Sequence, residues 1–221
     1  MKTPLRGARR MGSTALLAEL DDLTDVLALR DALQQQPPSG VRELVTAART
    51  LLITYDPSAT THNTLAQAVS ERAAELHEEG KTSAAAQNTA QAHDVLVVPV
   101  RYDGPDLDDV AELTGLSVPE VIARHTSPLY TVAFTGFAPG FGYLVGTDPV
   151  LSLPRRAEPR TAVPAGAVAV AGGFTGIYPR SSPGGWQLLG ATEIPLWDQD
   201  RDPPALLTPG ATVRFVAQEA P

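Results

Sequence analysis

The 221-residue chain contains no cysteine. This absence excludes disulfide bonds, thiolate nucleophiles and cysteine-ligated zinc from its chemistry. The sequence also has no apolar run that approaches the roughly 20 residues of a membrane-spanning helix. The basic, loosely patterned start of the chain does not read as a secretory signal, because acidic residues follow it closely. We therefore expect a cytoplasmic protein that does not act on membranes.

Basic residues are in the minority, with 17 lysines and arginines against 25 acidic residues and a net charge of -8. Such a chain lacks the positive surface that displaces counterions from nucleic acid, so we expect no nucleic-acid partner. The four histidines lack metal-ligand spacing. A cluster of aspartates, from Asp103 to Asp109, could hold a cation, but helix-dipole stabilisation is the more common role of aspartates before a helix. We expect no metal site.

Glycine and proline are sparse in the first 93 residues and dense later: residues 136–210 hold 12 of the 18 glycines and 11 of the 20 prolines. After a flexible basic tail over 1–12, residues 13–80 read as β-α-β-β-α, which with a fourth strand makes a ferredoxin-like unit. Residues 81–93 are predicted as a linker. Residues 94–218 read as short strands with two short helices, the pattern of a small closed β-barrel.

Three nucleotide or hydrolase motifs are incomplete. Gly80-Lys81-Thr82 resembles the end of a P-loop, but it ends a helix instead of opening one. The glycines of 140–146 miss the dinucleotide fingerprint by one residue, and Pro149 forbids a long helix behind them. Ser181 and Ser182 resemble an amidase loop, yet no lysine follows Lys81. We expect no cofactor bound by this chain alone.

Three segments, 136–144, 154–166 and 176–186, combine glycine, proline, aromatic residues and arginine. Glycine allows close backbone approach, aromatic rings form flat walls, and guanidinium groups bind carboxylate or phosphate. This composition fits a ligand- or partner-binding groove as well as it fits ordinary barrel turns with arginines in solvent. The candidate groove residues are Phe137, Pro139, Gly140, Phe141, Tyr143, Arg155, Arg156, Tyr178, Pro183, Gly184, Gly185 and Trp186.

With these segments, the runs 99–102 and 120–125 and the tail 207–215 make a long, specific pattern. On it, the chain resembles the KipI family, also called allophanate hydrolase subunit 1 or the B-type subunit of 5-oxoprolinase, over nearly its whole length. The resemblance implies an α+β fold in which a small ferredoxin-like N-terminal domain is followed by a cyclophilin-like β-barrel.

The resemblance also implies a function. The chain would be a subunit of an ATP-dependent 5-oxoprolinase, which opens the lactam of 5-oxoproline to glutamate. Its partners would be a larger KipA-type subunit and a LamB/YcsF-type subunit, with ATP as co-substrate of the complex. The alternatives are a regulator that inhibits a sensor histidine kinase and a subunit of an allophanate- or urea-processing enzyme. A peptidyl-prolyl isomerase, suggested by the barrel type alone, ranks last.

Lactam activation needs cationic donors, which we expect from Arg155, Arg156 and Arg160, with Arg160 catalytic. His125 is the other catalytic candidate, as a proton carrier near neutral pH, and a helix cap is an equally weighted alternative. The sequence also departs from the family pattern at four positions. Phe174 stands where glutamine is usual, Ala191 where arginine is usual, Ala167 where serine is usual and Gly142 where proline is frequent. Either the site is shifted toward another substrate or those positions are structural.

Overall fold

In a computed structural model of the chain, the described residues are 5–78 and 95–218. The chain divides into two compact units, with the division falling in the undescribed segment between them. The linker predicted over 81–93 lies outside the described residues. None of the helices within the described part combines the length and apolar character that a membrane crossing requires.

The first unit is a four-stranded antiparallel sheet with two helices. The elements are β1 (Leu5–Met11), β2 (Ala15–Leu20), α1 (Leu23–Gln35), β3 (Val41–Thr46), β4 (Thr50–Tyr55) and α2 (His62–Glu78). The strand order is β1-β2-β4-β3. Alternating apolar residues of the central strands meet the apolar stripes of the helices, so Leu16, Leu29, Ile53 and Val69 are fully buried.

The expectation of a flexible tail over 1–12 is wrong for residues 5–11, which form strand β1. Leu5 and Ala8 pack on the core of the unit, while Arg9 pairs with Glu19 on β2 at 3.3 Å. β1 lies beside β2, at the edge where the fourth strand of a ferredoxin-like sheet belongs. That strand therefore comes from the beginning of the chain and precedes the β-α-β-β-α series.

The second unit contains a seven-stranded sheet, a separate pair of strands and two helices. The elements are β5 (Leu96–Val100), α3 (Leu107–Thr114), α4 (Val118–Thr126), β6 (Tyr130–Thr135), β7 (Gly142–Val145), β8 (Arg160–Val163), β9 (Ala167–Ala171), β10 (Phe174–Ile177), β11 (Ser182–Gly184), β12 (Gln187–Ala191) and β13 (Thr212–Ala217). The order in the large sheet is β12-β9-β10-β7-β6-β13-β5, and the separate pair is β11-β8. A short 3₁₀ turn follows β7.

The seven-stranded sheet nearly closes on itself. Its two edge strands, β12 and β5, meet where Arg101 and Ala191 exchange two backbone hydrogen bonds of 2.9 Å. Such closure removes exposed sheet edges. Tyr130, Leu144 and Phe215 fill the interior without solvent exposure. The predicted fold class, α+β with a barrel-like second unit, is confirmed.

Helices α3 and α4 pack against strands of this sheet, α3 against β12 and α4 against β13. A capping box begins α4, where the Ser117 amide donates to the Glu120 carboxylate at 2.8 Å. Val110 and Val121 share a buried cluster with Leu189 of β12. This packing fixes the beginning of α3 beside β12, and there it brings Asp106 to the site described next.

Candidate functional site

The three glycine-, proline- and aromatic-rich segments converge on one cavity of the second unit. Its volume is about 280 Å³. The backbone amide of Arg156 donates to the carbonyl of Gly185 at 2.7 Å, which holds two of the segments together. The lining residues are Phe137, Phe141, Tyr143, Arg155, Arg156, Pro159, Tyr178, Pro183, Gly184, Gly185 and Trp186.

All of the candidate groove residues line this cavity except Pro139 and Gly140, and Pro159 is the lining residue that the sequence did not indicate. Pro139 lies on the β6–β7 hairpin, away from the lining. Gly140 lies against another loop, since a Cβ there would come within 3.1 Å of the Leu196 carbonyl oxygen. Its glycine thus serves the packing of the hairpin and not the cavity.

A cluster of aromatic rings forms the wall of the cavity. The buried ring of Phe141 meets Tyr143, Tyr178 and Trp186 edge to face, with centroids 5.0, 5.5 and 5.5 Å away. Gly184 makes room for this arrangement, because a Cβ there would lie 2.3 Å from the Tyr178 hydroxyl oxygen. The result is a rigid apolar surface suited to a flat ligand.

Phe137 stands at the mouth of the cavity in an unusual backbone conformation. Its φ of 65° lies in the left-handed region, and it is the one non-glycine residue with positive φ among those described. The Ala138 amide donates to the Gly136 carbonyl at 2.7 Å, which makes Phe137 the centre of a strained γ-turn. Its side chain is 56% exposed, and its ring contacts Phe141 at 5.2 Å. Strain of this kind concentrates at ligand-binding sites.

Arg155 supplies positive charge to the cavity. Within the described ranges it forms no ion pair, and its side chain is exposed. Burial raises the pKa of the Tyr143 and Tyr178 hydroxyls, and the charge of Arg155 partly offsets that rise. Arg155 is therefore a guanidinium without a carboxylate partner in the described part of the chain, placed beside two phenols and the aromatic wall. This set of groups can bind a small planar carboxylate.

Arg160 and Arg156 are both bound to a buried carboxylate, that of Asp106. Arg160 donates through both terminal nitrogens, at 2.7 and 2.8 Å, and Arg156 donates through one. The Leu188 amide is a fourth donor, at 2.8 Å. Burial alone would raise the pKa of Asp106, but these hydrogen bonds hold it below its usual value.

This arrangement separates the roles of the arginines. Arg160 was one of the two catalytic candidates, but it does not line the cavity. Both terminal nitrogens of its guanidinium group donate to Asp106. Its position argues for holding the segment in place, not for contact with a ligand. Arg156 lines the cavity while tied to Asp106. Sequence reasoning missed Asp106 as the anchor, because its position before α3 had indicated an aspartate stabilised by the helix dipole.

His125 lies in the barrel interior and not in the cavity. Its Nδ1 is 2.7 Å from the Tyr102 hydroxyl and its Nε2 is 3.3 Å from the Thr175 hydroxyl. It is fully buried, and this desolvation lowers the pKa of His125 to about 3. The imidazole is therefore neutral at ordinary pH. This placement argues against the expected role as a proton carrier.

The positions that depart from the family pattern lie outside the cavity lining. Phe174 packs behind the wall, with its ring centroid 5.6 Å from that of Tyr143. Ala191 makes the barrel-closing bridge through its backbone, Ala167 is buried on β9, and Gly142 faces Leu207. Phe174 extends the apolar wall through its side chain, and the other three serve the packing and closure of the barrel.

The family to which the chain is similar is decided by one match. The family model of the carboxyltransferase domain, subdomain C and D, matches residues 7–207. The chain belongs to this family. The resemblance seen in the sequence is thereby confirmed, and the match extends over most of both units of this carboxyltransferase-domain chain.

Curated relatives carry one shared name, that of the B-type subunit of 5-oxoprolinase. The chain is 52% identical to this subunit of Escherichia coli O157:H7 over 125 residues, which is 55% of this chain and 57% of that protein. It is 38% identical to the same subunit of Bacillus subtilis strain 168 over 197 residues, 83% of this chain and 78% of that protein. The Escherichia coli match thus spans little more than half of either protein.

Solved structures share the fold. TTHA0988 superposes with a TM-score of 0.70 at 39% identity, covering 94% of this chain and 40% of that one. The urea carboxylase of Kluyveromyces lactis also gives 0.70, at 19% identity, covering 99% of this chain and 23% of that one. At 19% identity, the likeness to the urea carboxylase concerns the fold alone. In both structures the matched region is part of a much longer chain.

Proposed function

We propose that this carboxyltransferase-domain chain is a subunit of an ATP-dependent 5-oxoprolinase, acting in the cytoplasm with a KipA-type larger subunit and a LamB/YcsF-type subunit. The name shared by its curated relatives supports the complex. The observation that carries the proposal concerns Arg155. Its guanidinium group has no ion-pair partner within the described ranges and lies at the edge of an aromatic cavity. The cavity receives the substrate in part, and the partner subunits complete the site.

5-Oxoproline fits this cavity by size and by chemistry. It is a five-membered ring with one carboxylate, and the cavity offers about 280 Å³. The ring lies against the rings of Phe141 and Tyr178, while the carboxylate takes a charge-assisted, bidentate contact with Arg155. Arg156 also lines this wall, and Asp106 holds its guanidinium group in place.

A lactam amide is unreactive toward water, which is why the reaction needs ATP. Transfer of the γ-phosphoryl group to the lactam oxygen releases ADP and makes an acyl-phosphate-like carbon. Water then adds to that carbon, the C–N bond breaks, the nitrogen takes a proton, and phosphate leaves to give glutamate. We assign the ATP site to another subunit, since the one P-loop-like sequence here, at 80–82, lacks the motif. The role of this chain is to bind and orient the lactam.

Reconstitution tests the proposal. ADP release is measured with 5-oxoproline for this chain alone, for this chain with the larger subunit, and for all three subunits. We expect lactam-dependent ADP release only from the full mixture. If the three subunits assemble and 5-oxoproline stimulates no ADP release, the proposal is wrong. Stimulation by urea or allophanate in place of 5-oxoproline would then identify the other enzyme class.

A further inference from the structure

A second, larger concavity borders the aromatic cavity and shares Arg156 with it. Its volume is about 820 Å³. It runs along helix α3 and the segment before β8. We call it the acidic groove, and its lining residues are Asp109, Glu112, Leu113, Arg156, Ala157, Glu158 and Gln187.

Carboxylates make up most of the charged groups that line the acidic groove. Asp109, Glu112 and Glu158 are exposed carboxylates. Glu112 and Glu158 form no ion pair with any residue that the structure describes. Arg156 is the one cation in the lining, and its charge is already shared with the buried carboxylate of Asp106. The groove therefore presents unneutralised negative charge, which attracts a cation.

Gln187 is an independent sign of a missing donor. The residue is only 5% exposed, and its side-chain Nε2 donates to the Pro154 carbonyl at 3.2 Å. Its Oε1 is buried and has no hydrogen-bond partner in the described part of the chain. Buried amide oxygens are normally satisfied, so an unpartnered one at a groove wall calls for an N–H group from outside.

The lining also includes an apolar group. Leu113 on α3 is 58% exposed, an unusual exposure for a leucine of an amphipathic helix. Arginine and lysine side chains carry an aliphatic stem below a cationic head, so they match a surface that offers leucine beside carboxylates. The groove is also larger than a single side chain needs, which favours a segment of polypeptide over a free amine.

From these contacts we infer that the acidic groove is a docking site for a basic segment of the larger partner subunit. An arginine or lysine of that segment lies among Asp109, Glu112 and Glu158. The inference rests on the proposed function, because it takes the partner from there. Arg156 lines both concavities. Docking in the acidic groove therefore places the partner directly beside the aromatic cavity, where a site shared between subunits must form.

A charge-reversal experiment on the full chain tests the docking site. The double variant Glu112→Lys, Glu158→Lys reverses two exposed carboxylates of the groove. The control, Glu193→Lys with Asp200→Lys, makes the same charge change at exposed positions of the same unit outside the groove. Affinity for the purified larger subunit is measured by titration calorimetry at low and at physiological salt.

We expect the groove variant to bind the larger subunit at least about tenfold more weakly at low salt, because like charges then face each other. The control should stay within about twofold of the unaltered chain. Circular dichroism and thermal unfolding confirm that both variants are folded. Equal affinity for the groove variant and the unaltered chain overturns the docking inference, and so does failure of the unaltered chain to bind the larger subunit. A complex that assembles but releases no ADP with 5-oxoproline instead refutes the proposed function.

Discussion

Asp106 accepts both terminal N–H groups of Arg160, at 2.7 and 2.8 Å, across 54 positions of sequence. Through this pair the beginning of α3 is fixed to the beginning of β8. Arg156 is bound by the same carboxylate, so one buried aspartate orients the segment that presents Arg155 to the cavity. Asp106 is a positioning residue that acts through the arginines.

The first prediction concerns the stability that Asp106 provides. Asp106→Asn removes the charge and turns an amide toward two guanidinium groups, so we expect a loss of about 3 kcal/mol in the free energy of unfolding. Asp109→Asn is the matched control, since Asp109 is an exposed neighbour paired to Arg156 at 3.7 Å, and it should cost less than about 1 kcal/mol. Urea unfolding measures both. Equal losses in the two variants would contradict the anchoring role.

The second prediction is the pH dependence of that stability. The hydrogen bonds to Asp106 hold its pKa in the folded protein below the value in the unfolded chain. Its contribution is therefore fully present above the unfolded pKa of about 4 and is lost as the pH falls through the folded pKa. The stability difference between the unaltered chain and Asp106→Asn should be constant from about pH 7 to 5 and shrink below about pH 4. A difference that grows in acid would refute this assignment.

The third prediction concerns His125. Burial lowers its pKa to about 3 in the folded protein, whereas the unfolded chain binds a proton near pH 6.5. The folded state is thus disfavoured as the pH falls from 6.5 toward 3, by up to about 1.4 kcal/mol per pH unit from this group. Histidine NMR resonances should show no titration of His125 between about pH 5 and 8. A midpoint near the ordinary histidine pKa would restore the proton-carrier hypothesis.

The fourth prediction separates the backbone and ring of Phe137. Phe137→Ala and Phe137→Gly both remove the aromatic ring, but only glycine relieves the left-handed conformation at φ 65°. We expect the glycine variant to be about 1 kcal/mol more stable than the alanine variant in chemical denaturation. Both should weaken lactam binding equally, because the lost ring contacts are the same. Equal stability of the two variants would show that the turn is unstrained in solution.

Much of the fold could be predicted from local sequence patterns. Strands β3 and β4 follow apolar alternation between clear turn signals, so the β-α-β-β-α reading of residues 13–80 matches the elements found there. Strand β1 was missed because an edge strand faces solvent, so its arginines imitate a disordered basic tail. Its burial of Leu5 and Ala8 depends on the rest of the unit, which sequence periodicity does not display.

The cavity was predicted better than the roles of its charged residues. Glycine, proline and aromatic residues indicate a cavity with an aromatic wall because they act through backbone shape and ring surface, which are local properties. The three arginines look alike in sequence, and only the fold brings Asp106 to two of them. His125 was likewise ambiguous, because a histidine at a helix end shows its burial only once the barrel is assembled.

The most direct measurement compares Arg155→Ala with Arg214→Ala in the three-subunit complex. Arg214 is an exposed arginine on β13, outside the cavity, and so serves as the matched control. For Arg155→Ala we expect kcat/KM for 5-oxoproline in ADP release to fall at least about tenfold, because a charge-assisted contact to the substrate carboxylate is lost. Arg214→Ala should leave kcat/KM unchanged. If both variants keep full activity in an intact complex, the lactam does not bind at Arg155.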